Sequence, residues 1–171
     1  MTKFRSQALL LALIIFAVDQ AVKYYVTGIL GLTVVGEYVR VLPIFDFRYV
    51  QNVGVSLGLL PAGSAAMRWA LVGLTAAIAL GVLFWMFRER NRQDLLALGL
   101  VLGGAAGNIL DRVRLGYVVD YADLHFGAWR PFLVFNVADA AITIGVLILL
   151  IRALLVRDKK KERTPVENAN A

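Results

Sequence analysis

The chain contains four long apolar segments, and these constrain its fold more than any other feature. They cover about residues 8–26, 66–87, 95–112 and 134–156. A membrane span needs about 20 apolar residues, with a range of roughly 17–25. The apolar run of the third segment ends at Leu110, so this helix must continue past that residue or lie where the bilayer is thin. Its many Gly and Ala residues would let neighbouring helices approach closely. Since 60% of the 171 residues are hydrophobic, against about 45–50% in soluble domains, we expect an all-α membrane protein with four transmembrane helices.

Basic residues indicate how these segments are oriented. They precede the first segment, separate the second from the third, and follow the fourth: Lys3, Arg5, Arg88, Arg90, Arg92, Arg157, Lys159, Lys160, Lys161 and Arg163. With four spans, all three groups fall on one side, which the positive-inside rule places in the cytoplasm. We therefore expect both termini in the cytoplasm, a single membrane domain over residues 1–158 and a disordered cytoplasmic tail over residues 159–171. The first segment has no small-x-small cleavage site, so we expect it to be retained as a helix.

The outer loop over about residues 28–65 carries a strand pattern. Apolar and polar residues alternate in Val39–Val41 and in Phe45–Tyr49, and Pro43 lies between the two runs. Such alternation predicts a small extracytoplasmic antiparallel β-sheet on the outer membrane surface.

The second outer loop, over residues 112–131, contains Tyr121 and Trp129. Both side chains suit a position at the membrane interface. No strand is predicted in this loop.

The polar residues of the apolar segments all fall near their outer ends. They are Asp19 and Lys23 in the first segment, Asn108, Asp111 and Arg112 in the third, and Asn136 and Asp139 in the fourth, with Asn52 and Asp120 in the adjoining loops. A charged residue at a bilayer centre costs roughly 2.5–3.5 kcal/mol, so such a residue is by default a functional hypothesis. Two convergent aspartates, here Asp120 and Asp139, indicate acid–base chemistry on one shared proton.

Structural interpretations compete with these functional ones. Asp19 and Lys23 are four residues apart on one helix, so they could form an ion pair as readily as contact a substrate. Asn136 and Asp139 could cap the fourth helix.

The remaining charged residues have mainly structural interpretations. Asp111 and Arg112 could form an interfacial ion pair, and His125 is expected in an interfacial loop. Asp46 and Asp123 are expected to be solvated.

Composition excludes several kinds of site. The chain has no cysteine and one histidine, which rules out thiol catalysis, disulfides and thiolate metal sites and argues against a His-rich metal site. We expect no cofactor and no bound metal. The net charge of +6 lies beside the apolar segments, so it indicates membrane topology rather than nucleic-acid binding.

Five short motifs carry a family resemblance. In order along the chain they are Asp19-Gln20-Ala21-Val22-Lys23, Asn52-Val53-Gly54, Gly107-Asn108-Ile109-Leu110-Asp111-Arg112, Gly116-Tyr117-Val118-Val119-Asp120 and Phe135-Asn136-Val137-Ala138-Asp139. Each is weak alone, but all five in this order, with four spans, make a specific pattern. The chain resembles the bacterial lipoprotein signal peptidases, also called signal peptidase II, from its first helix to its fourth.

The resemblance implies an intramembrane aspartic endopeptidase of the bacterial inner membrane, with Asp120 and Asp139 as its catalytic pair near the outer face. It implies as substrate the signal peptide of a prolipoprotein whose cysteine carries a diacylglyceryl group, cradled by the outer sheet. The positions implied to bind substrate or support the pair are Asp19, Lys23, Asn52, Gly54, Asn108, Arg112 and Asn136. We expect a monomer that also contacts membrane lipid. The family often continues after the glycine with Ala-Ala-Phe, whereas here Gly54 is followed by Val55-Ser56-Leu57.

The implied mechanism is direct activation of water. Two neighbouring carboxyl groups do not both ionise easily, so Asp120 and Asp139 would share one proton and titrate as a unit. The ionised partner would take a proton from water, and the protonated partner would polarise the scissile carbonyl.

Two alternatives from other functional classes stay open. Asp120 and Asp123, together with Asp111 and Arg112, could bind Mg²⁺ and a lipid diphosphate in a phosphatase or transferase. The polar groups could instead line a small channel or carrier, although the chain has no internal repeat.

Overall fold

A computed structural model describes residues 3–54 and 64–162, with side chains described as far as residue 155. In chain order the elements are α1 (Lys3–Tyr24), β1 (Tyr38–Leu42), β2 (Phe45–Asn52), α2 (Ala65–Arg88), α3 (Arg92–Leu115), β3 (Val118–Leu124) and α4 (Val137–Glu162). Four helices are long and apolar enough to cross a membrane, and the three strands form one antiparallel sheet. The predicted fold class is confirmed.

The helices begin or end at residues other than the predicted bounds of the first, third and fourth spans. α3 continues to Leu115, which resolves the apparent shortness of the third segment. The first helix continues beyond α1 as a π-helical turn over Tyr25–Ile29. α4 begins at Val137 rather than at 134, because Phe135 forms an isolated β-bridge with Ala122 and cannot be helical. The same helix includes residues 159–162 of the expected tail, and the rest of that tail lies outside the described residues.

α3 is the central helix and packs against α1, α2 and α4. The glycines of α3 allow α1 and α4 to approach it closely. A Cβ added at Gly99 would lie 2.5 Å from the carbonyl oxygen of Ala8 in α1, and one added at Gly104 would lie 2.5 Å from that of Ala138 in α4. Because only a hydrogen fits at these points, the small residues of α3 let both neighbouring backbones approach it, as predicted.

The sheet has the order β1-β2-β3, so β3 joins the hairpin that the sequence predicts. The predicted outer loop over residues 112–131 thus contains a strand that the sequence interpretation did not foresee. Tyr121 is buried rather than interfacial, in an apolar cluster with Val26 and Tyr49, whereas Trp129 is exposed. This cluster packs the sheet onto the end of the first helix, at the end of the bundle where the polar residues lie.

Candidate active site

Asp120 lies in the middle of β3, opposite Val50 of β2. Its carboxyl group is buried and accepts a hydrogen bond at each oxygen. Asn52 Nδ2 donates to Oδ2 over 3.0 Å, and Asn136 Nδ2 donates to Oδ1 over 2.6 Å. The antiparallel pairing of β2 with β3 thus places the predicted residue Asn52 directly against Asp120.

Asp139 is the third residue of α4, and Asn136 immediately precedes the helix. The Asp139 N–H donates to Asn136 Oδ1 over 2.8 Å, and the Asn136 N–H donates to Asp139 Oδ2 over 3.3 Å. This reciprocal pair has the form of a capping box. From α3, Asn108 Nδ2 donates to Asp139 Oδ1 over 2.8 Å, so both carboxyl oxygens of Asp139 are held.

Asn136 joins the two carboxyl groups. Its Nδ2 lies within hydrogen-bond distance of Asp120 Oδ1, of Asn108 Oδ1 at 3.3 Å and of the Val119 carbonyl oxygen at 3.3 Å. The capping interpretation of Asn136 and Asp139 is therefore correct but incomplete. The same amide that begins α4 also contacts the carboxyl group on β3.

The environment of Asp120 favours its neutral form. Burial is the main reason that the pKa of Asp120 is raised from 3.8 to about 7, and the negative charge of Asp139 raises it further. Hydrogen bonds from Asn52 and Asn136, and the positive charge of Lys23, oppose the rise. A carboxyl group with a pKa near 7 can hold or release a proton at neutral pH.

Beneath the two carboxyl groups lies a buried ionic cluster formed by Asp19, Lys23 and Asp111. Lys23 Nζ lies 2.7 Å from Asp19 Oδ2 and 2.8 Å from Asp111 Oδ2, and it donates to Asn108 Oδ1 over 3.3 Å. All three charged residues are at most 4% exposed. The alternative in which Asp111 pairs with Arg112 is therefore wrong, because Asp111 pairs with Lys23 instead.

The cluster also holds the backbone on which the two carboxyl groups are mounted. Asp111 Oδ2 accepts the Val119 N–H over 3.1 Å, next to Asp120. The N–H groups of the first three residues of α4 are accepted, in order, by Tyr121 Oη at 3.2 Å, Asp19 Oδ1 at 3.0 Å and Asn136 Oδ1 at 2.8 Å. Helix-starting N–H groups have no partner within the helix, so these side chains fix where α4 begins.

The sequence interpretation missed two supporting residues. Gln20 Nε2 donates to Asp111 Oδ1 over 3.0 Å and to Asp19 Oδ2 over 3.2 Å. Tyr121 contributes through its hydroxyl group to the start of α4. Gln20 could have been noticed as a third polar residue in the outer end of the first segment, whereas Tyr121 gave no signal other than its position beside Asp120.

Gly54 orients the side chain of Asn52. Its N–H donates to Asn52 Oδ1 over 2.9 Å, which directs the Nδ2 of the same amide to Asp120. Gly54 has a φ of +87°, a conformation that other residues rarely adopt. The following residues Val55, Ser56 and Leu57 lie outside the described part of the chain.

Arg112 lies on the same face of α3 as Asn108, one turn further along. Within residues 3–54 and 64–155 its guanidinium makes no ion pair, and its buried Nε has no hydrogen-bond partner. It borders a cavity of about 180 Å³ between α2, α3 and α4. Arg112 is thus a donor group that borders open space next to Asn108.

Three side chains that were expected to be solvated or interfacial are buried instead: Asp46, Asp123 and His125. Asp46 is the cross-strand partner of Asp123, so the pairing of β2 with β3 encloses both carboxylates. His125, the residue after β3, is buried, and its Nε2 lies 3.2 Å from Asp46 Oδ2, so the histidine packs against the sheet rather than lying exposed at the interface.

Asp123 is neutralised by arginines. Burial alone would raise the pKa of Asp123, but hydrogen bonds from Arg48 at 2.7 Å and Arg130 at 3.1 Å hold it below the ordinary value. Asp123 also lies three residues from Asp120 on one strand, so their side chains point to opposite faces. The carboxylates proposed to bind Mg²⁺ do not converge, and in the part of the chain that the structure describes no three acidic or His side chains are grouped to hold a metal ion.

Known proteins resemble this chain over most of its length. Residues 11–155 match the family model for signal peptidase II. The chain is 55% identical over 160 residues to a lipoprotein signal peptidase of Rhizorhabdus wittichii, covering 94% of this chain and 91% of that protein. It is 49% identical over 151 residues to that of Sphingopyxis alaskensis, covering 88% and 87%.

Two solved structures, both described as bacterial membrane enzymes, have a similar fold. One has a TM-score of 0.76 at 26% identity and covers 96% of this chain and 95% of its own. The other has a TM-score of 0.74 at 28% identity and covers 87% and 93%.

Proposed function

The chain belongs to the signal peptidase II family, and we propose that Asp120 and Asp139 are its catalytic dyad. The family is one of aspartic peptidases, and the chain is a multi-pass bacterial membrane protease that processes lipoprotein signal peptides. One observation carries the assignment of the dyad: Asn136 contacts both carboxyl groups, through its side chain at Asp120 and through a reciprocal pair of hydrogen bonds with Asp139.

In the proposed mechanism Asp120 holds the shared proton at rest and Asp139 is the ionised base. The raised pKa of Asp120 supports the first role. The position of Asp139 in the first turn of α4 supports the second, because the positive end of a helix favours a nearby negative charge. This asymmetry gives the two carboxyl groups different tasks, as in other carboxyl pairs whose environments differ.

The reaction then needs one water molecule and no covalent enzyme intermediate. Asp139 takes a proton from the water as its oxygen attacks the scissile carbonyl carbon, while Asp120 donates its proton to the carbonyl oxygen. The tetrahedral intermediate returns that proton to Asp120 as the C–N bond breaks, and Asp139 protonates the departing amine. The dyad regains its starting protonation.

The supporting residues divide into three groups by what they touch. Asn52, positioned by Gly54, and Asn136 orient Asp120, and Asn108 orients Asp139. Asp19 and Lys23 support the dyad from beneath, since both are buried and hold, respectively, the start of α4 and Asn108. Arg112 faces the cavity beside the dyad, where its fixed donors suit the backbone carbonyls of a bound peptide.

We further propose a specific substrate and orientation. The substrate is a prolipoprotein whose cysteine carries a diacylglyceryl group, as the resemblance to signal peptidase II implies. The protein is a monomer in the inner membrane, with residues 1–158 as its single domain and both termini in the cytoplasm. Basic clusters at one end of the bundle support this orientation, and the dyad then lies near the outer face, where a translocated substrate can reach it.

The test uses purified protein in liposomes and a prolipoprotein with or without its diacylglyceryl group. We expect cleavage of the modified substrate alone, read as a gel shift. Asp120→Asn and Asp139→Asn should each abolish cleavage and still elute as folded protein in detergent. Asp94→Asn is the matched control, because Asp94 lies at the opposite end of α3 and pairs with Arg152 there. Substantial turnover by either dyad variant would refute the assignment.

A further inference from the structure

A pocket between the first helix and α3 has no part in the mechanism proposed above. It has a volume of about 160 Å³ and is lined mainly by polar side chains, among them Gln20, Lys23, Tyr24, Thr27 and Arg114. The four residues of the first helix are three, four and seven positions apart, so they share one face of it. Arg112 and Arg114 are two positions apart on α3 and project to nearly opposite sides. This pocket, which we name the Arg114 pocket, is therefore separate from the cavity beside Arg112.

Arg114 differs from the arginines near the sheet in having no carboxylate partner. Arg40, Arg48 and Arg130 each pair with a buried aspartate. Arg114, in the last turn of α3, forms no ion pair with any residue that the structure describes. The positive-inside rule does not account for Arg114 either, because on the proposed orientation this end of the bundle faces away from the cytoplasm. An anionic ligand would supply the missing partner.

The acidic residues around the Arg114 pocket already have partners. Asp111 borders the pocket, but Lys23 Nζ lies 2.8 Å from one of its carboxylate oxygens and Gln20 Nε2 donates to the other over 3.0 Å. Asp19, the other carboxylate of the ionic cluster, also pairs with Lys23 and does not border the pocket. A cationic group entering the pocket would thus find no free carboxylate, whereas an anionic group meets the N–H donors of the Arg114 guanidinium.

The Arg114 pocket lies at the level of lipid headgroups. α3 ends at Leu115, the residue after Arg114, and exposed aromatic side chains lie at the same ends of the first helix and of α2: Tyr24, Tyr25 and Trp69. Tyr and Trp side chains collect at the membrane–water interface. Leu115 borders the pocket and is 47% exposed, so the apolar side of the opening faces lipid. A molecule bound here can hold its charged group at the interface while its apolar part stays in the bilayer.

We propose that the Arg114 pocket binds the phosphate group of an anionic phospholipid, whose acyl chains lie against α1 and α3. A phospholipid has both a phosphodiester at this depth and apolar chains below it. The diacylglyceryl group of the substrate carries no phosphate, so the bound lipid is a separate ligand. On the proposed orientation this lipid belongs to the outer leaflet, and it covers the open side of the ionic cluster at Lys23 and Asp111. Its binding requires neither the dyad nor the peptidase reaction.

The test measures how well a lipid protects a thiol in the pocket. Thr27→Cys places a single thiol in the wall of the Arg114 pocket, because the chain has no cysteine of its own. The purified variant in dodecyl maltoside micelles is treated with N-ethylmaleimide, and mass spectrometry follows the modification rate as dioleoylphosphatidylglycerol is added. Dioleoylphosphatidylcholine and sodium phosphate are the comparison ligands. Thr33→Cys is the matched control, since Thr33 is exposed in the loop after the first helix and does not border the pocket.

We expect phosphatidylglycerol to slow the modification of Thr27→Cys about tenfold when the pocket is about 90% occupied, and to leave the rate for Thr33→Cys unchanged. Adding Arg114→Gln to Thr27→Cys should raise the mole fraction of lipid needed for half-protection about tenfold or more, the factor for losing a hydrogen bond between charged groups. Arg90→Gln is the control for loss of one positive charge, because Arg90 is exposed at the opposite end of the bundle. It should change the half-protecting mole fraction by less than about twofold.

Several results would overturn the proposal. Equal protection by phosphatidylcholine would contradict recognition of an anionic lipid, and equal protection by sodium phosphate would identify a site for free anions instead. An unchanged half-protecting mole fraction in Arg114→Gln would exclude the arginine as the phosphate ligand. Thermal unfolding in detergent checks that each variant folds, and Leu115→Cys supplies a thiol in the opposite wall if Thr27→Cys does not. Cleavage is not measured, so these outcomes leave the proposed function in place.

Discussion

Replacement of Lys23 by methionine separates a structural role of the ionic cluster from a role in substrate contact. Methionine keeps an unbranched apolar stem but removes the ammonium group. Lys23 Nζ now neutralises two carboxylates at 2.7 and 2.8 Å, Asp19 and Asp111, each at most 4% exposed. In the variant both would be buried without that cation, next to the backbone N–H groups that they hold.

The size of the expected loss in the free energy of unfolding follows from the burial of the two carboxylates. Removing one partner of a buried ion pair costs roughly 3–5 kcal/mol, because the remaining charge is left uncompensated. Exposed pairs are worth about 0–1 kcal/mol. Arg40 provides the control, since its own side chain is 67% exposed and lies 3.6 Å from Asp46, and its removal leaves that buried carboxylate with His125 at 3.2 Å. We therefore expect Lys23→Met to lower the free energy of unfolding by roughly 3–5 kcal/mol and Arg40→Met by less than about 1 kcal/mol.

The assay is reversible unfolding in mixed micelles by increasing SDS, followed by far-UV circular dichroism. Adding Asp111→Asn to Lys23→Met should restore part of the loss, because one of the two uncompensated charges is removed. If Lys23→Met abolished cleavage but changed stability no more than Arg40→Met, the lysine would act on the substrate and the structural reading of the cluster would be wrong.

Four further outcomes are expected. Asn136→Ala should reduce kcat/KM about 10–100-fold, since Asp120 becomes charged as it gives its proton to the carbonyl oxygen and a buried hydrogen bond to a charged group is worth roughly 1.5–3 kcal/mol. A normal rate would contradict the bridging role of Asn136. Because Asp120 must be protonated and its pKa is raised to about 7, kcat should fall as pH rises through about 7. The folded state also keeps that proton where the unfolded chain has lost it, so stability should decline from about pH 4 to about pH 7, and Asp120→Asn, which should not turn over, should flatten this stability profile. Cleavage should survive EDTA, and loss restored by Mg²⁺ or Zn²⁺ would favour a metal-dependent reaction. A cysteine at Ser64 should react with an impermeant thiol reagent on spheroplasts and one at Asn91 only after lysis, the reverse labelling being evidence against the proposed orientation.

The local sequence pattern was sufficient to predict the four helices and the hairpin formed by β1 and β2. Hydropathy over some twenty residues identifies a span, and alternation identifies a strand, since both depend on neighbours along the chain. The local pattern did not predict β3, because this segment forms a strand only by pairing with β2, which lies about 70 residues earlier in the chain. Asp46, Asp123 and His125 were misplaced for the same reason: with the third strand unknown, nothing indicated that they would be enclosed.

The sequence by itself determined the four spans, the single level of the polar residues and the identity of the two candidate aspartates. Each of these depends on residue type and position along the chain, because charged groups in apolar segments are costly wherever the helices pack. Only the tertiary structure decided that Asn136 contacts both aspartates and that Asp111 pairs with Lys23 rather than with Arg112. Those features depend on which side chains meet across α1, α3, β3 and α4, and such distances are set by the packing of small residues and the pairing of strands that are remote in sequence.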